Sequence, residues 1–205
     1  MDIFKMNTVY ILVSSYRKRQ YFSEFPADIT ICDPDYVVSL KDNWQSRKIK
    51  LGGMKYPLLD NVSSGCDCVP IFSQRVLDAL GDMISPYGEF LPIDCPNASM
   101  NLYFFNVTNG INGMDIDKTQ YGYTFELRGV LRRHNVTHYA FRPEVIRDEI
   151  IFKDLSTVKS SIYVTDRFVQ AVIDANLTGF IFRRVWSEEQ GHIAIEKLPL
   201  YQSDY

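Results

Sequence analysis

Histidine, cysteine and long apolar runs are all scarce in this 205-residue chain, and each scarcity closes off a class of function. The three histidines are His134, His138 and His192. His134 and His138 would share a helical face at i, i+4, as metal ligands do, yet the intervening Asn135-Val136-Thr137 favours a turn or strand. No glutamate stands at the metalloprotease position beside them. Of the four cysteines, Cys66 and Cys68 lack a second pair or a histidine at ligand spacing, and Cys32 and Cys95 stand alone. Zinc is therefore not expected, and the thiols are read as buried or inert. No apolar stretch approaches the roughly 20 residues that cross a bilayer. The short run Val9–Val13 precedes the basic cluster Arg17-Lys18-Arg19, the reverse of an export signal. A cytoplasmic protein with no membrane partner is expected, so five Asn-X-Ser/Thr triplets (at Asn61, Asn97, Asn106, Asn135 and Asn176) are chance matches rather than glycosylation sites.

Catalytic motifs are missing too. There is no P-loop and no Gly-x-Gly-x-x-Gly; Gly52-Gly53 is too short to cradle a phosphate, and no Gly-x-Ser-x-Gly elbow marks a nucleophile. Asp115-Ile116-Asp117 is an Asp-x-Asp that two carboxylates could turn to Mg²⁺ binding, which keeps a small metal-dependent enzyme as one alternative. Tyr16-Arg17-Lys18-Arg19-Gln20-Tyr21 mixes cations and aromatics, which keeps a peptide- or nucleic-acid-binding module as another. A net charge of −3 argues against nucleic acid as the partner. Cations are short in one place above all. Residues 61–118 hold only Arg75 and Lys118 against seven carboxylates, a balance of −5, whereas 1–60 carries +2 and 119–205 is neutral. Such a stretch repels nucleic acid and steers basic proteins.

Hydrophobic residues make up 46% of the chain, and thirteen Tyr and thirteen Phe among β-branched runs favour strands. Two segments echo each other: Pro70–Leu80 and Ile162–Val172 each read as a short strand, a hydroxyl residue and an amphipathic helix. Counted from Ser73 and Thr165, Arg falls at +2, apolar residues at +3, +4 and +7, and Ala at +6, where the helix is expected to meet a neighbour. The hydroxyls are expected to cap the helices. Helices are predicted over 74–84 and 166–175, with Asn176 near the second C-cap. Strands are predicted at Val9–Ser14, Ala27–Ile31, Tyr36–Leu40, Glu89–Ile93, Leu102–Val107, Tyr123–Leu127, Tyr139–Arg142, Glu149–Phe152 and Gly179–Trp186. Asn61–Gly65 reads as a loop, and a terminal hairpin follows Glu188. The fold class is α+β: mostly antiparallel strands with two principal helices, arranged as two related strand–helix–strand units.

The order of segments carries a resemblance. Val69-Pro70-Ile71-Phe72-Ser73-Gln74-Arg75-Val76-Leu77, Leu91-Pro92-Ile93, Tyr103-Phe104-Phe105-Asn106-Val107 and Met114-Asp115 are followed by Ile150-Ile151-Phe152-Lys153, Ile162-Tyr163-Val164-Thr165-Asp166 and Leu177-Thr178-Gly179-Phe180-Ile181-Phe182. This series resembles the immunity family numbered eleven of bacterial polymorphic toxin systems, a domain first catalogued without known function. It spans about residues 69–186. The chain is read as a single domain, 1–205, with a divergent N-terminal part (1–68), a family-like core (69–186) and a C-terminal hairpin or tail (187–205). The resemblance implies a non-enzymatic protein, without catalytic residues, cofactor or metal, that binds and neutralises a cognate toxin. It transfers no binding residues. The acidic stretch suits a basic, nuclease-type toxin, and Asp82, Glu89, Asp94, Asp115 and Asp117 are the expected toxin-facing carboxylates. Nothing requires a homo-oligomer.

Overall fold

The computed structural model describes residues 7–14, 21–22, 37–46, 48–52, 57–64, 69–127, 130–157, 161–194 and 201–202. Along the chain come β1 (Thr8–Ser14), β2 (Tyr21–Phe22), β3 (Leu51–Gly52), β4 (Asn61–Val62) and β5 (Ile71–Ser73), then α1 (Gln74–Ile84). Next are β6 (Gly88–Ile93), β7 (Leu102–Val107), β8 (Gly110–Ile111), β9 (Gln120–Leu127) and β10 (Val130–His138), then the single turn α2 (Pro143–Ile146). The chain continues through β11 (Ile151–Asp154), β12 (Ile162–Thr165), α3 (Asp166–Asp174), β13 (Phe180–Ser187), β14 (Gly191–His192) and β15 (Tyr201–Gln202). The α+β class holds, with mostly antiparallel pairing and two principal helices.

Two units share one topology. In a four-stranded sheet ordered β4-β5-β7-β6, β5 and β6 both run antiparallel to β7, so they are parallel to each other and joined by α1. In a seven-stranded sheet, β12 and β13 flank β1 in the same way and are joined by α3, with β11 beside β12 where β4 lies beside β5. Parallel strands need a crossover, and an amphipathic helix supplies it while covering the sheet. The central strands differ in origin. β7 follows β6 directly, whereas β1 reaches the second unit from the N-terminal end of the chain.

Burial follows the period of two along each strand. Both helices enter one core: Val76, Leu80 and Ile84 of α1 meet Phe168 and Val172 of α3, together with Phe72, Phe105, Val107, Leu12, Val164, Phe180 and Phe182 from the facing sheets. The outer face of the larger sheet (Val9, Ile11, Val13, Phe152, Tyr163) is covered by Met114, Tyr139, Phe141 and Ile146. The outer face of the smaller one (Val62, Ile71, Leu91, Phe104) is covered by Ile49, Leu51 and Trp44. Residues 1–68 are thus built into both sheets where they are described.

Several expectations need correction. Asn61–Val62 is a strand, because Asn61 and Val62 are buried and pair with Phe72 and Ile71. Val37–Leu40 forms no strand; Leu40 N–H instead donates to Glu89 at 2.9 Å, which takes the segment out of any ladder. Tyr139–Arg142 is not a strand apart from a bridge at Phe141, and the missed strand is β10 before it. Ser73 and Thr165 stand at the N-caps without capping. Ser73 Oγ donates to Asp60 Oδ1 at 2.7 Å and Thr165 Oγ1 to the Glu149 carbonyl at 2.8 Å, so stronger acceptors take both hydroxyls. Ala79 is exposed, although Ala171 packs on the core. Asn176 does occupy the left-handed region, at φ +50. The Ala27–Ile31 prediction lies outside the described residues.

Gly179 is the position where a side chain would do most harm. Its φ is +85, and a Cβ there would stand 2.5 Å from the Asn61 carbonyl oxygen and 2.9 Å from Leu59 Cβ. Gly179→Ala should cost about 3 kcal/mol, since strain and overlap with backbone add. Chemical denaturation at constant m checks it; a loss below about 1 kcal/mol would mean that the β4 loop yields freely.

Candidate functional site

One heavily bonded carboxylate is absent from the motifs singled out above. Asp60 is fully buried. Its Oδ1 accepts from Ser73 Oγ at 2.7 Å; its Oδ2 accepts from Arg75 Nη1 at 2.8 Å, Thr178 N–H at 2.8 Å and Thr178 Oγ1 at 3.0 Å. Arg75 also donates to the Asn176 carbonyl at 3.3 Å. One residue therefore ties β5 and α1 of the first unit to the turn after α3 of the second. A signal was present: a polar pair, Asp60-Asn61, one of them charged, interrupts an otherwise apolar run from Leu58 to Val62. Every donor around Asp60 comes from the chain itself, which makes it a structural lock rather than a site open to a substrate.

The five sequence-selected carboxylates are spread over α1, the two ends of β6 and the turn after Met114. Asp82 is exposed on α1, Asp94 is exposed just past β6, and Asp117 is exposed in the turn after Met114. Glu89, on β6, accepts from Ser39 Oγ, from Leu40 N–H at 2.9 Å and from Asn106 Nδ2 at 3.1 Å. Burial opposes its charge, but these donors outweigh that and hold its carboxyl below the usual range. Asp115 pairs with Lys118 at 2.8 Å, and the Lys118 hydrogen bond lowers its pKa. Only Asp115 and Asp117 are brought together: Asp117 N–H donates to Asp115 Oδ1 at 3.3 Å.

That pair edges an open cleft of about 410 Å³, lined also by Ile116, Arg133, Arg142 and Ser156. Asp115 is already paired with Lys118, and no cluster of three or more His, Cys, Asp or Glu side chains able to hold a metal occurs among the described residues. The Asp-x-Asp therefore does not assemble a metal-ligand set. Cys95 is half-buried, with its thiol pushed up by burial; Cys32, Cys66 and Cys68 lie outside the described residues, as does Tyr16–Gln20.

Strand geometry separates His134 from His138 and brings His138 to His192. His134 stacks on Tyr123 at 4.8 Å, whereas His138 meets His192 with ring centroids 4.3 Å apart. His192 Nδ1 accepts from Tyr139 N–H at 3.1 Å. Burial, then the charge of His138, lowers the His192 pKa. A lowered histidine binds fewer protons folded than unfolded, so its contribution is present above the unfolded value, about 6.5, and lost as pH falls from there through the lower folded value. The melting temperature should fall between pH 7.5 and 5.5, and His192→Gln should flatten that slope. An unchanged slope in the variant would assign the acid sensitivity elsewhere.

One feature stands apart from both sheets. Among the described residues β9 and β10 pair only with each other as strands, forming a two-stranded arm whose register runs from Gln120↔His138 to Leu127↔Val130. Asn135, at φ +57, lies against Gly122, where an added Cβ would stand 2.8 Å from the Asn135 Nδ2. Val136 packs on the second core and anchors the base, while Tyr123, Phe125 and Leu131 are 52%, 38% and 54% exposed. Sequence reasoning caught half of this arm; β10, with two arginines, two histidines and two asparagine or threonine residues, lacks an apolar alternation.

The model of an immunity protein family, Imm11, matches residues 57–187, well over half the chain. The chain belongs to the Imm11 family. No curated protein matches it. The Imm11 segment contains Asp60, Arg75, Thr178, both helices and the entire arm. It excludes β1, which this Imm11 protein places at the centre of its second unit.

Proposed function

We propose that this protein protects the cell that makes it by binding a cognate toxin one to one and blocking it, without catalysis of its own. Membership of an immunity protein family over residues 57–187 carries the reading. It is supported by where the buried charge goes: Asp60 is used to lock the two units, and Asp154 accepts from Met114 N–H at 2.7 Å and Ser156 N–H at 2.9 Å. Neither is left to act on a substrate. The toxin fitted best is a nuclease-type domain in the cytoplasm, with a basic surface for its nucleic acid. Of the five acidic candidates, the exposed Asp82, Asp94 and Asp117 supply the steering, since Glu89 and Asp115 are held by internal partners.

Titration calorimetry against the C-terminal domain of the toxin encoded beside its gene tests this. Nanomolar one-to-one binding, with toxin activity lost at equivalence, is expected. Reversing Asp82, Asp94 and Asp117 to lysine should slow association about tenfold and weaken its dependence on salt. A folded protein that does not bind would refute the reading; binding with unchanged association would remove the acidic contribution alone.

A further inference from the structure

We propose that the β9–β10 arm is the toxin-gripping element, and that its Tyr123–Phe125 face seats in an apolar cleft rimmed by carboxylates on the toxin. The inference rests on the immunity reading and deepens it. Six large apolar side chains are more than a third exposed among the described residues; three of them, Tyr123, Phe125 and Leu131, are on this arm. A fourth, Ile116, lines the cleft at the arm's base together with Arg133. Tyr123 and Phe125 alternate on one face, two residues apart, beside His134, which is paired opposite Tyr123. The rings are ordered before binding: Tyr123 lies 4.8 Å from His134 and 6.3 Å from Phe125, with interplanar angles of 21° and 30°. Pre-stacked aromatic side chains offer large contact area with little rotamer entropy left to lose, the character of interface hot spots. Arg133 lies 5.8 Å from the Tyr121 ring centroid on the same arm.

Charge selects the occupant. The described residues of the arm carry Arg132 and Arg133 against Glu126, a balance of +1 in a chain of −3. The molecule is an acidic body with a cationic, aromatic prong. A toxin that cleaves phosphodiesters has the converse layout, with a basic substrate surface around a carboxylate-bearing centre. Two copies of this chain pairing arm to arm would set like charges against each other, which disfavours a symmetric dimer through this face.

The test uses the full chain and the C-terminal domain of the toxin encoded beside its gene. Tyr123→Ala combined with Phe125→Ala should weaken binding about a hundredfold or more, with the melting temperature kept within about 2 °C because both side chains face water. Leu131→Ser, which pairs opposite Glu126 on the other face, should change affinity by less than about threefold. Hydrogen exchange on the unmodified protein should show amides of 121–126 and 131–136 protected by toxin, a readout that needs no variant to fold. If the unmodified protein binds while the double variant binds within about threefold and the arm gains no protection, the arm is not the grip and the immunity reading stands. If Leu131→Ser weakens binding as much as the double variant, the assignment to the Tyr123–Phe125 face falls. If the unmodified protein does not bind the toxin at all, both fall together. Self-association abolished by Tyr123→Ala, with toxin binding intact, would give the face to a second copy and overturn the proposal.

Discussion

Removal of residues 1–14 should leave the second unit unable to fold. β1 lies between β12 and β13; all seven of its residues pair with β13, and three of them also pair with β12. Val9, Ile11, Leu12 and Val13 are each no more than 8% exposed and contribute to two cores, the last three facing alternately. At about 1.5–3 kcal/mol for each buried aliphatic side chain, their loss is of the order of 6–12 kcal/mol, comparable with the whole stability of a typical domain, about 5–15 kcal/mol. The facing backbones of β12 and β13 would also lose their partners inside the protein. Thr8 N–H and Tyr10 Oη both donate to Asp166 at 2.9 Å, so α3 loses a contact at its first residue as well. Circular dichroism and near-ultraviolet spectra of the truncated chain should report lost tertiary packing, and adding a peptide of residues 7–14 should restore part of it. The family-matched piece alone, 57–187, should fail for the same reason. A cooperative melt of that piece within a few degrees of the full chain would show that β12 and β13 close on each other without β1.

That dependence marks the limit of what the residues disclosed on their own. Both helices, β7 and the strand after α3 were legible because each has a sharp period and a Gly, Pro or Asn boundary: Asn176 and Gly179 sit in the left-handed region at φ +50 and +85. The repeated Arg, apolar and apolar spacing after Ser73 and Thr165 does mark equivalent helices, since Val76 and Phe168 at +3, and Leu80 and Val172 at +7, are buried alike. What spacing could not convey was which strand fills the gap between each parallel pair. β7 does so from the next segment and β1 from about 150 residues away, a choice made by tertiary packing. The hydroxyls misled for a related reason. Capping is a local rule, and Ser73 met a buried carboxylate thirteen residues distant that competes better than a first-turn N–H. The acidic candidates were chosen by density along the chain, but density along a chain is not proximity in space: α1, the two ends of β6 and the turn after Met114 hold Asp82, Glu89, Asp94 and Asp115. The other half of the arm escaped because, beyond the base that Val136 anchors, a two-stranded ribbon standing off the sheets has little buried surface to impose alternation.

Asp60→Ala should be the most damaging single substitution of a polar residue. The carboxylate accepts four hydrogen bonds, two of them from Thr178, and it is fully buried while the side chain of Arg75 remains 49% exposed. The truncation would therefore not strand a buried cation, since Arg75 can turn to water. It would strand the Thr178 N–H and the Ser73 hydroxyl, which is itself fully buried, and each orphaned group costs about 1–3 kcal/mol. With the small cavity added, the loss is about 3–4 kcal/mol, or roughly 6–16 °C in melting temperature for a chain of this size. Asp60→Asn separates the charge from the geometry. The amide keeps an acceptor for Thr178 or Ser73 but offers a donor where one of the others donates, so it should recover only part of the loss. Because Asp60 joins the turn at Thr178 to β5 and α1, the effect should be felt across the unit boundary: hydrogen exchange in Asp60→Ala should accelerate in both α1 and β13. Acceleration confined to the first unit would show that the two halves hold together through the shared apolar core, with the carboxylate lock serving only its own side.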